Sequence, residues 1–303
     1  MASIKKLLKN PAKIVHILNK LKLSRLLNDK HYLRLAYKAS FGKKLDLENP
    51  KTYNEKLNWL KLYDRNPLYT TLVDKYEVKA YVADKIGEEY IIPTLGVWDK
   101  FEDIDFDKLP EKFVLKCTHD SGGLAICRDK STFDVEAAKK KIKKSLKRNF
   151  YYYGREWPYK NVKPRIIAEE YMEDEETAEL RDYKFFCFDG VSKALFIASD
   201  RQKAGEEVKF DFFDIDFNHL PFTQGHPNAK VLPEKPKCFD EMRSLAEKLS
   251  KGLVQARIDF YEANGKVYFG EITLFHHNGM MPFAPEEWDY KFGEMIKLPI
   301  ADK

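Results

Sequence analysis

Short apolar runs bounded by polar turns dominate the chain after residue 90. Several have the length of strands and are rich in β-branched and aromatic residues: "YIIPTLGVW", "KFVLKC", "LAIC", "RIIAEEYM", "DYKFFCF" and "VSKALFIAS". Asp189-Gly190 follows "DYKFFCF", and Asn264-Gly265 separates "ARIDFYE" from "KVYFGEIT". Because both dipeptides favour two-residue hairpin turns, the pattern predicts antiparallel hairpins in the second half of the chain.

Apolar positions at helical spacing dominate the first third. Thr52 and Glu55 have the spacing of a capping box and predict the start of a helix. A second predicted helix starts at Asp74 and ends at Gly87. The lysine-rich segment 134–148 and the segment "FDEMRSLAEKLSKG" predict two more. Together with the hairpins, these helices predict an α+β fold.

The N-terminal segment is strongly basic. Residues 1–44 contain ten Lys and two Arg against one acid, Asp29, a net charge of +11; since the whole chain carries +5, the rest carries −6. Asn10 and Pro11 predict a helix start, and an apolar stripe follows at residues 14, 15, 18 and 21. Such a helix either lies on an anionic membrane, through residues 1–28, or packs against the body of the protein.

Composition excludes several classes of protein. Hydrophobic residues make up 44% and aromatic residues 14%, too much for a disordered chain, and no uninterrupted apolar run is long enough to span a membrane. The four cysteines lack metal-ligand spacing, which favours a reduced, cytoplasmic setting. If the basic segment binds a membrane, the expected location is the inner face of that membrane. Cys117 and Cys127 either face each other or fill the core. Nucleic-acid binding is disfavoured, because the excess positive charge is confined to the N-terminus.

Two acids twelve residues apart mark the last hairpin. Side chains alternate along a strand, so Arg257 shares a face with Asp259, and Glu271 shares a face with Thr273. Pairing around the Asn264-Gly265 turn predicts Asp259 opposite Gly270 and diagonal to Glu271. Two close carboxylates repel unless a cation lies between them, and their hard oxygens suit Mg²⁺. The alternative is a solvated polar face of the sheet.

The stretch "FVLKCTHDSGGLAIC" predicts a hairpin with an unusual tip. Lys116 ends the first strand, and Ser121, Gly122 and Gly123 let backbone N–H groups approach an anion without an intervening Cβ. These features predict a phosphate site, and the alternative is an ordinary hairpin turn. The stretch is neither a Walker loop nor a Rossmann fingerprint.

A third element is the exit of the strand "RIIAEEYM". Its Glu169, Glu170 and Met172 offer carboxylates and backbone groups able to read the amino group of an adenine. The alternative is a solvated pair of glutamates at a strand end.

Along the chain these elements follow an early helical segment with "DKYEVK" in the order phosphate-loop hairpin, strand exit and acidic hairpin. In that order they resemble the ATP-grasp superfamily, in which two α+β subdomains hold ATP between antiparallel sheets. The segments "NPKTYNEKLNWLKLYDRNPLYTTLVDKYEVKAYV", "LPEKFVLKCTHDSGG", "KLSKGLVQARIDFYEANGKVYFGEITLF" and "FAPEEWDYKFGEMIKLP" are similar to its TupA-like group, associated with teichuronopeptide and surface-polysaccharide synthesis. The resemblance covers roughly residues 30–300. It implies four parts: a basic helical segment (1–50), a helical region (51–110), a small subdomain with the phosphate loop (111–172) and a large subdomain with the metal site (173–303).

The resemblance implies a role for each matching residue. It assigns the nucleotide to Lys75, Lys116, the loop Ser121, Gly122 and Gly123, the adenine-reading Glu169, Glu170 and Met172, and the triphosphate-facing Lys184 and Arg201. It assigns Mg²⁺ to Asp259, Glu271 and Thr273, and catalysis to Lys116 and to Arg257, which stabilises a tetrahedral adduct. The sequence departs from the family pattern at Thr273, where relatives have Asn, and at His119 and Asp120 in the loop.

The implied function is an ATP- and Mg²⁺-dependent ligase that activates a carboxylate as an acyl phosphate and joins it to an amine. The expected substrates are a uronic acid of a surface polysaccharide, or its precursor, and an amino acid. The alternatives are a glycosyltransferase, for which "DFD" and "DID" are weak motifs, a phosphoryl-transferring enzyme, and a nucleotide-binding scaffold at the membrane. His276 and His277 either shuttle a proton or shape the acceptor pocket.

Overall fold

The computed structural model describes residues 11–175, 180–199 and 207–299. Strands alternate with helices after residue 90, and helices alone come before. The α-helices of the described residues are α1 Pro11–Lys20, α2 Asp29–Phe41, α3 Tyr53–Tyr63, α4 Leu68–Val73, α5 Val78–Ile86, α6 Val135–Leu146, α7 Tyr151–Gly154, α8 Phe239–Ser250 and α9 Glu287–Met295.

The strands form two antiparallel sheets. The small sheet has the order β1-β4-β2-β3 and the large sheet the order β10-β9-β5-β6-β7-β8. The strands of the small sheet are β1 Thr94–Trp98, β2 Phe113–Cys117, β3 Leu124–Cys127 and β4 Ile166–Glu170. Those of the large sheet are β5 Asp182–Phe188, β6 Val191–Ser199, β7 Lys209–Asp214, β8 His219–Leu220, β9 Gln255–Ala263 and β10 Lys266–Thr273. The predicted α+β architecture with two antiparallel sheets is confirmed.

Each sheet has its own core. The small sheet packs against α6 through residues such as Phe113, Leu115 and Ile142. The large sheet packs against α3, α5, α8 and α9 through a larger core that includes Phe186 and Phe292. Because the two cores are separate, the space between the sheets is left for polar side chains.

Local sequence signals explain most element boundaries. The predicted capping box is present, with the Thr52 side chain accepting from the Glu55 amide and the Glu55 side chain accepting from the Thr52 amide. The helix predicted from Asp74 begins later, at Val78. The reason is that Asp74 caps a turn instead, accepting from the amide of Tyr76 at 2.9 Å, while its other oxygen pairs with Arg165 at 2.8 Å.

The described part of the basic segment packs against the body. The Tyr32 hydroxyl donates to the Tyr153 carbonyl at 3.2 Å, and the buried Arg155 guanidinium donates to the Ser24 carbonyl and lies 4.4 Å above the Tyr32 ring. Within the segment, the Asn19 side chain donates to the Tyr32 hydroxyl at 3.2 Å. These contacts support packing rather than membrane binding for this part; Asn10 lies outside the described residues. Among the residues described, no helix has the length and apolarity that crossing a bilayer requires.

The structure decides one alternative that the sequence left open and adds one strand. Cys127 pairs in register with Phe113 rather than with Cys117, and both thiols are buried and free, so they are core residues. The strand β7 was not predicted, although "KFDFFD" has strand composition. It lies between β6 and the short edge strand β8 in the large sheet.

Candidate nucleotide and ligation site

The β9–β10 hairpin brings the two predicted metal carboxylates together. Its register follows the prediction from the turn up to Phe269 opposite Phe260, and then a β-bulge at Gly270 shifts it by one residue. Asp259 therefore lies opposite Glu271, not opposite Gly270 as predicted. A Cβ on Gly270 would lie 3.1 Å from the Asp259 carbonyl oxygen, so glycine suits the bulge.

Arg257 organises this face of the hairpin. Its Nε and Nη2 donate to the two oxygens of Asp259, both at 2.7 Å. Nη2 also donates to Glu271 at 3.0 Å and to the Thr273 hydroxyl at 2.9 Å. Burial opposes the charge of the guanidinium, but Asp259 and Glu271 outweigh it and raise the pKa of Arg257. The predicted catalytic arginine thus lies among the predicted metal ligands.

Lys184 reaches the same cluster from β5, directly across from Asp259 in the sheet. Its ammonium group contacts Asp259 and lies 3.2 Å from Asp182. Burial lowers the pKa of Lys184, and the Asp259 carboxylate acts in the opposite direction. Asp259 is 1% exposed, so both cations cover it.

Glu271, in contrast, faces open space. Its side chain is 41% exposed, whereas that of Asp259 is 1% exposed. Desolvation acts to raise its pKa, but Lys75, Lys184 and Arg257 outweigh desolvation and lower the pKa to about 2. Glu271 is therefore ionised at neutral pH. Lys75 itself is placed by a 3.0 Å hydrogen bond from its ammonium group to the Asp120 carbonyl.

The buried His276 is fixed as a neutral imidazole. An arginine only donates hydrogen bonds, so the 2.7 Å contact between Arg257 Nη1 and His276 Nδ1 makes Nδ1 the acceptor. Nε2–H then donates to the Gln224 side-chain oxygen at 3.1 Å. Burial also holds the pKa of His276 well below its usual value. Both ring nitrogens are engaged, so this geometry disfavours proton shuttling by His276 and supports a positioning role.

Glu169 forms ion pairs with two lysines. It is 5% exposed, and its oxygens pair with Lys116 at 2.5 Å and with Lys79 at 2.6 Å. Burial opposes ionisation of Glu169, but the two lysines outweigh it and lower the pKa. Sequence reasoning missed Lys79; the available signal was its position about one helical turn after Lys75. Glu170, which is exposed, and Met172 lie at the edge of this cluster.

The predicted phosphate loop is anchored from beneath by a buried acid. Asp120 accepts from Ser145, from Arg148 and, at 2.8 Å, from the Ser121 amide. Gly122 has a φ of +96°, a conformation that favours glycine. A Cβ on Gly123 would lie 2.2 Å from the Ser145 hydroxyl, so a larger residue would push the loop off α6. The departure from the family pattern at Asp120 is thus a structural anchor.

Most predicted nucleotide residues meet in a cavity of about 330 Å³ between the two sheets, which we call the inter-sheet cavity. Its polar lining consists of Lys75, Lys79, Lys116, Asp120, the loop Ser121, Gly122 and Gly123, Glu169, Asp182, Lys184 and Glu271. Glu170 and Met172 do not line it, and Arg201 lies outside the described residues. The cavity combines several cations with a small-residue loop, which suits a polyphosphate.

A second cavity of about 1050 Å³, which we call the basic cavity, adjoins the first. The two share Lys75, Asp120, Ser121 and Glu271. Cations and aromatic rings line much of the rest of it, namely Lys22, Arg25, Lys144, Lys147, Arg148, Phe150, Tyr152, Tyr153, Tyr159, Arg257 and Phe275, and Glu156 also lines it. The basic N-terminal segment therefore forms one of its walls.

The carboxylates of the site are ligands of the kind that a magnesium ion binds. Mg²⁺ commonly takes one or two protein carboxylates together with substrate phosphates, and Glu271 faces the shared space with an ionised carboxylate. Asp259 would join it only after Arg257 or Lys184 releases an oxygen. The Thr273 hydroxyl accepts from Arg257 at 2.9 Å and donates to Glu271 at 3.4 Å. Within the described part of the chain, no cluster of three or more metal-ligating residues is found.

Comparison with solved structures finds ATP-grasp ligases and related enzymes. The D-alanine–D-alanine ligase of Bacillus anthracis complexed with ATP is 15% identical, with 67% of this chain and 54% of that chain covered and a TM-score of 0.40. The corresponding ligase of Helicobacter pylori is 12% identical, with 82% and 70% covered and a TM-score of 0.43. The N5-carboxyaminoimidazole synthetase of Staphylococcus aureus complexed with ADP is 15% identical, with 67% and 43% covered and a TM-score of 0.39.

The chain thus spans about half of the length of two of these enzymes. A search of curated protein sequences found no match. A family model described as TupA-like ATPgrasp, in contrast, matches residues 55–297, which include both sheets and both carboxylates of the hairpin. The chain belongs to the TupA-like family of ATP-grasp proteins, as its sequence motifs indicated.

Proposed function

We propose that this protein is an ATP- and Mg²⁺-dependent ligase that converts a carboxylate into an acyl phosphate and joins it to an amine. The observation that carries the proposal is that the inter-sheet cavity and the basic cavity meet at Glu271 and Lys75. A nucleotide in one cavity and an anionic acceptor in the other would bring their reacting ends to this junction.

The inter-sheet cavity supports a triphosphate by its charge. Lys75, Lys79, Lys116 and Lys184 line it from α5, the segment before it and both sheets. Of these, Lys75 has only the neutral Asp120 carbonyl as a hydrogen-bond partner among the described residues, so no carboxylate is paired directly with its ammonium group. The loop Ser121–Gly123 would cover the phosphates with backbone N–H groups.

The first step would be attack of a substrate carboxylate oxygen on the γ-phosphorus of ATP. The bond between that phosphorus and the β–γ bridging oxygen breaks, and ADP leaves with its electron pair. Glu271, joined by Asp259 once its cations move, would hold the Mg²⁺ ion, which supplies charge neutralisation on the phosphate oxygens when bound. The lysines of the cavity add to that neutralisation.

The second step would be attack of an amine on the acyl phosphate, with phosphate as the leaving group. Arg257 is suited to the developing oxyanion, because its Nη1 bonds His276 through one hydrogen and has a second hydrogen without an acceptor among the described residues. His276 would hold the guanidinium plane in place from its buried side. Water must be excluded at this stage, since the acyl phosphate otherwise hydrolyses.

The lining of the basic cavity supports an acidic sugar as the carboxylate substrate. Its lysines and arginines attract carboxylates, and its tyrosines offer flat faces on which sugar rings stack. A uronic acid of a surface polysaccharide, or of its precursor, combines both features. An amino acid is our proposed amine.

The glycosyltransferase alternative loses its motif support. Asp105 of "DFD" caps a turn by accepting from the Asp107 amide at 3.2 Å, and Asp214 of "DID" accepts from the Asp216 and Asn218 amides. Neither acid lines the inter-sheet cavity or the basic cavity. Their local roles account for both motifs without a nucleotide sugar.

The proposal is tested by trapping the acyl phosphate with hydroxylamine. Wild-type protein is incubated with MgATP, hydroxylamine and glucuronic, galacturonic or mannuronic acid, as monomers and oligomers, and hydroxamate and ADP are measured. We expect equal amounts of both with at least one acid, and a loss of about 10²–10³-fold in Glu271→Gln. Glu136→Gln, a change at an exposed position of α6, serves as the matched control.

Two results would contradict the ligase. ADP formation that depends on the acid but yields a stable phosphorylated product, without hydroxamate, would identify a phosphoryl-transferring enzyme. Sugar transfer from a nucleotide sugar, without ATP consumption, would support the glycosyltransferase.

A further inference from the structure

Glu156 is a buried carboxylate that the chemistry above does not use. It lies between α7 and the 3-10 helix Trp157–Asn161, it is 5% exposed, and it lines the basic cavity together with Arg257 and Glu271. The Tyr159 amide donates to its backbone carbonyl at 3.2 Å, and the neighbouring Arg155 is buried. The backbone on both sides of Glu156 is therefore held in place.

The carboxylate of Glu156 makes no hydrogen bond or ion pair with any described residue. The cation with the largest effect on Glu156 is the buried Lys61. Its three ammonium hydrogens have other acceptors: Asn58 at 3.2 Å, the Gly154 carbonyl at 2.9 Å and the Asn278 carbonyl at 2.5 Å. An ionised carboxylate without a partner is costly to bury. Glu156 is in this respect unlike Glu169 and Asp259, and its position at the cavity wall points to a partner from outside the chain.

The charges around Glu156 come from three elements. Lys61 of α3 and Arg257 of β9 favour its ionised form, whereas Glu271 of β10 opposes it. Burial has the largest effect, and the balance raises the pKa of Glu156 to about 7. Tyr159, on the 3-10 helix that follows, remains protonated because burial and Glu156 both raise its pKa.

The two other carboxylates of the basic cavity, and His277, are poor proton acceptors. Three cations lower the pKa of Glu271 to about 2, against the effect of its burial, so its carboxylate is a weak base. Burial lowers the pKa of His277 to about 4. Asp120 is engaged by Ser145 and Arg148. Glu156 is thus the carboxylate of this lining that is neither paired nor weakly basic.

We propose that Glu156 binds the ammonium group of the incoming amine and accepts one of its protons. This inference rests on the proposed ligase function and names the residue that activates its nucleophile. The ammonium group supplies the missing partner of a buried anion, and the same anion is placed in the cavity where the acyl phosphate would form.

Glu156 acts as the base when the amine attacks the acyl phosphate. One ammonium proton passes to the Glu156 carboxylate, and the freed nitrogen electron pair forms the bond to the acyl carbon. The carbon–oxygen bond to phosphate breaks, and that oxygen keeps the electron pair. The nitrogen loses a second proton to the departing phosphate, leaving the amide, hydrogen phosphate and a protonated Glu156 that returns its proton to solvent.

Hydroxylamine provides the test, because it is uncharged at neutral pH and has no ammonium proton to lose before attack. Glu156→Gln is compared with wild type in two reactions with the same uronic acid: hydroxamate formation with hydroxylamine, and amide formation with a panel of common amino acids. We expect amide formation to fall about 10²–10⁴-fold, the usual contribution of a general base, and hydroxamate formation to change by less than about threefold. Glu136→Gln is the matched control, and thermal unfolding checks the fold of each variant.

A measurement on the wild type is independent of any variant. We expect amide formation to fall as the pH drops through about 7, where Glu156 becomes protonated, while hydroxamate formation stays level. Equal losses of both products in Glu156→Gln, unchanged amide formation, or identical pH profiles would overturn the role of Glu156 and leave the ligase standing. Absence of hydroxamate in wild type with every acid would overturn the ligase itself, and the assignment of Glu156 with it.

Discussion

The inter-sheet cavity and the basic cavity differ in whether their buried carboxylates are paired with cations. In the inter-sheet cavity Glu169 lies between two lysines, and nearby Asp259 is covered by Arg257 and Lys184. In the basic cavity Glu156 is as deeply buried but has no hydrogen bond or ion pair with a described residue, and Lys61 and Arg257 act on it only through their charge. Acids that already have cations can shape a site for phosphates, whereas an acid without one is poised for a cationic or proton-bearing ligand. The difference assigns separate tasks to the two cavities.

The largest effect is expected from Arg257→Met, which breaks the paired cluster. The change leaves Asp259, Glu271 and His276 without their shared donor. Removing one partner of a buried pair typically costs about 3–5 kcal/mol, so we expect the free energy of unfolding to fall by that amount in urea titrations. Arg243→Met, at a partly exposed ion pair on α8, should cost less than about 1 kcal/mol. Equal costs would show that Arg257 is not the organising cation.

Glu169→Gln is expected to have the next largest effect, a loss of roughly 2–4 kcal/mol at neutral pH, because it removes the shared acid of two lysines. The two lysines lower the folded-state pKa of Glu169 below its ordinary value, against the effect of burial. The stabilisation of the fold by ionised Glu169 is therefore fully present at pH values above the ordinary pKa of a glutamate. This stabilisation is lost as the pH falls through the folded-state pKa of Glu169. Urea titrations across the acid range measure it. A difference between variant and wild type that grows at low pH would contradict this account.

Glu156→Gln should act in the opposite direction and stabilise the protein. Its folded-state pKa of about 7 lies above the ordinary 4.5, so ionised Glu156 destabilises the fold as pH rises between those values. We expect a gain on the order of 1–3 kcal/mol at about pH 8 and none at about pH 4. Urea titrations at both pH values check this. Destabilisation at the higher pH would reveal a partner that stabilises the Glu156 carboxylate.

The smallest effect is expected on the KM for the uronate, from changes at two cations that line the basic cavity. Replacing Lys22 and Arg25 together by Gln should raise the KM for an anionic uronate about 5–10-fold and leave the KM for ATP unchanged, because both line only the basic cavity. Steady-state kinetics at two salt concentrations measure it, and exposed Lys30→Gln is the control. If the double variant instead loses binding to phosphatidylserine vesicles with its kinetics unchanged, the segment serves a membrane and not the cavity.

The sequence predicted what depends on short-range signals. The capping box at Thr52 and the hairpin turns at Asp189-Gly190 and Asn264-Gly265 each lie within a few residues, and all are present. The family motifs likewise lie in continuous strings that identify the fold. Hence the two sheets and the lysines and carboxylates of the inter-sheet cavity were within reach of the sequence.

What the sequence missed depends on register or on distant contacts. Gly270 alone does not predict a β-bulge from the sequence. The bulge nevertheless moves Glu271 from the predicted diagonal position to one directly opposite Asp259. Glu156 lacks a hydrogen bond from Lys61 because the Lys61 ammonium group donates to other acceptors. Two of these acceptors are the carbonyls of Gly154 and Asn278, which are distant from Lys61 in the chain. Such pairings are decided by tertiary packing and leave no periodic pattern.

Isotope transfer tests the central claim, that a carboxylate is activated by ATP where the two cavities meet. A uronic acid carrying ¹⁸O in both carboxylate oxygens is turned over with MgATP and an amine, and the released phosphate is analysed by mass spectrometry. An acyl phosphate requires one ¹⁸O atom in each phosphate, because the attacking carboxylate oxygen leaves with the phosphorus. Phosphate without ¹⁸O, released in step with product, would contradict the account.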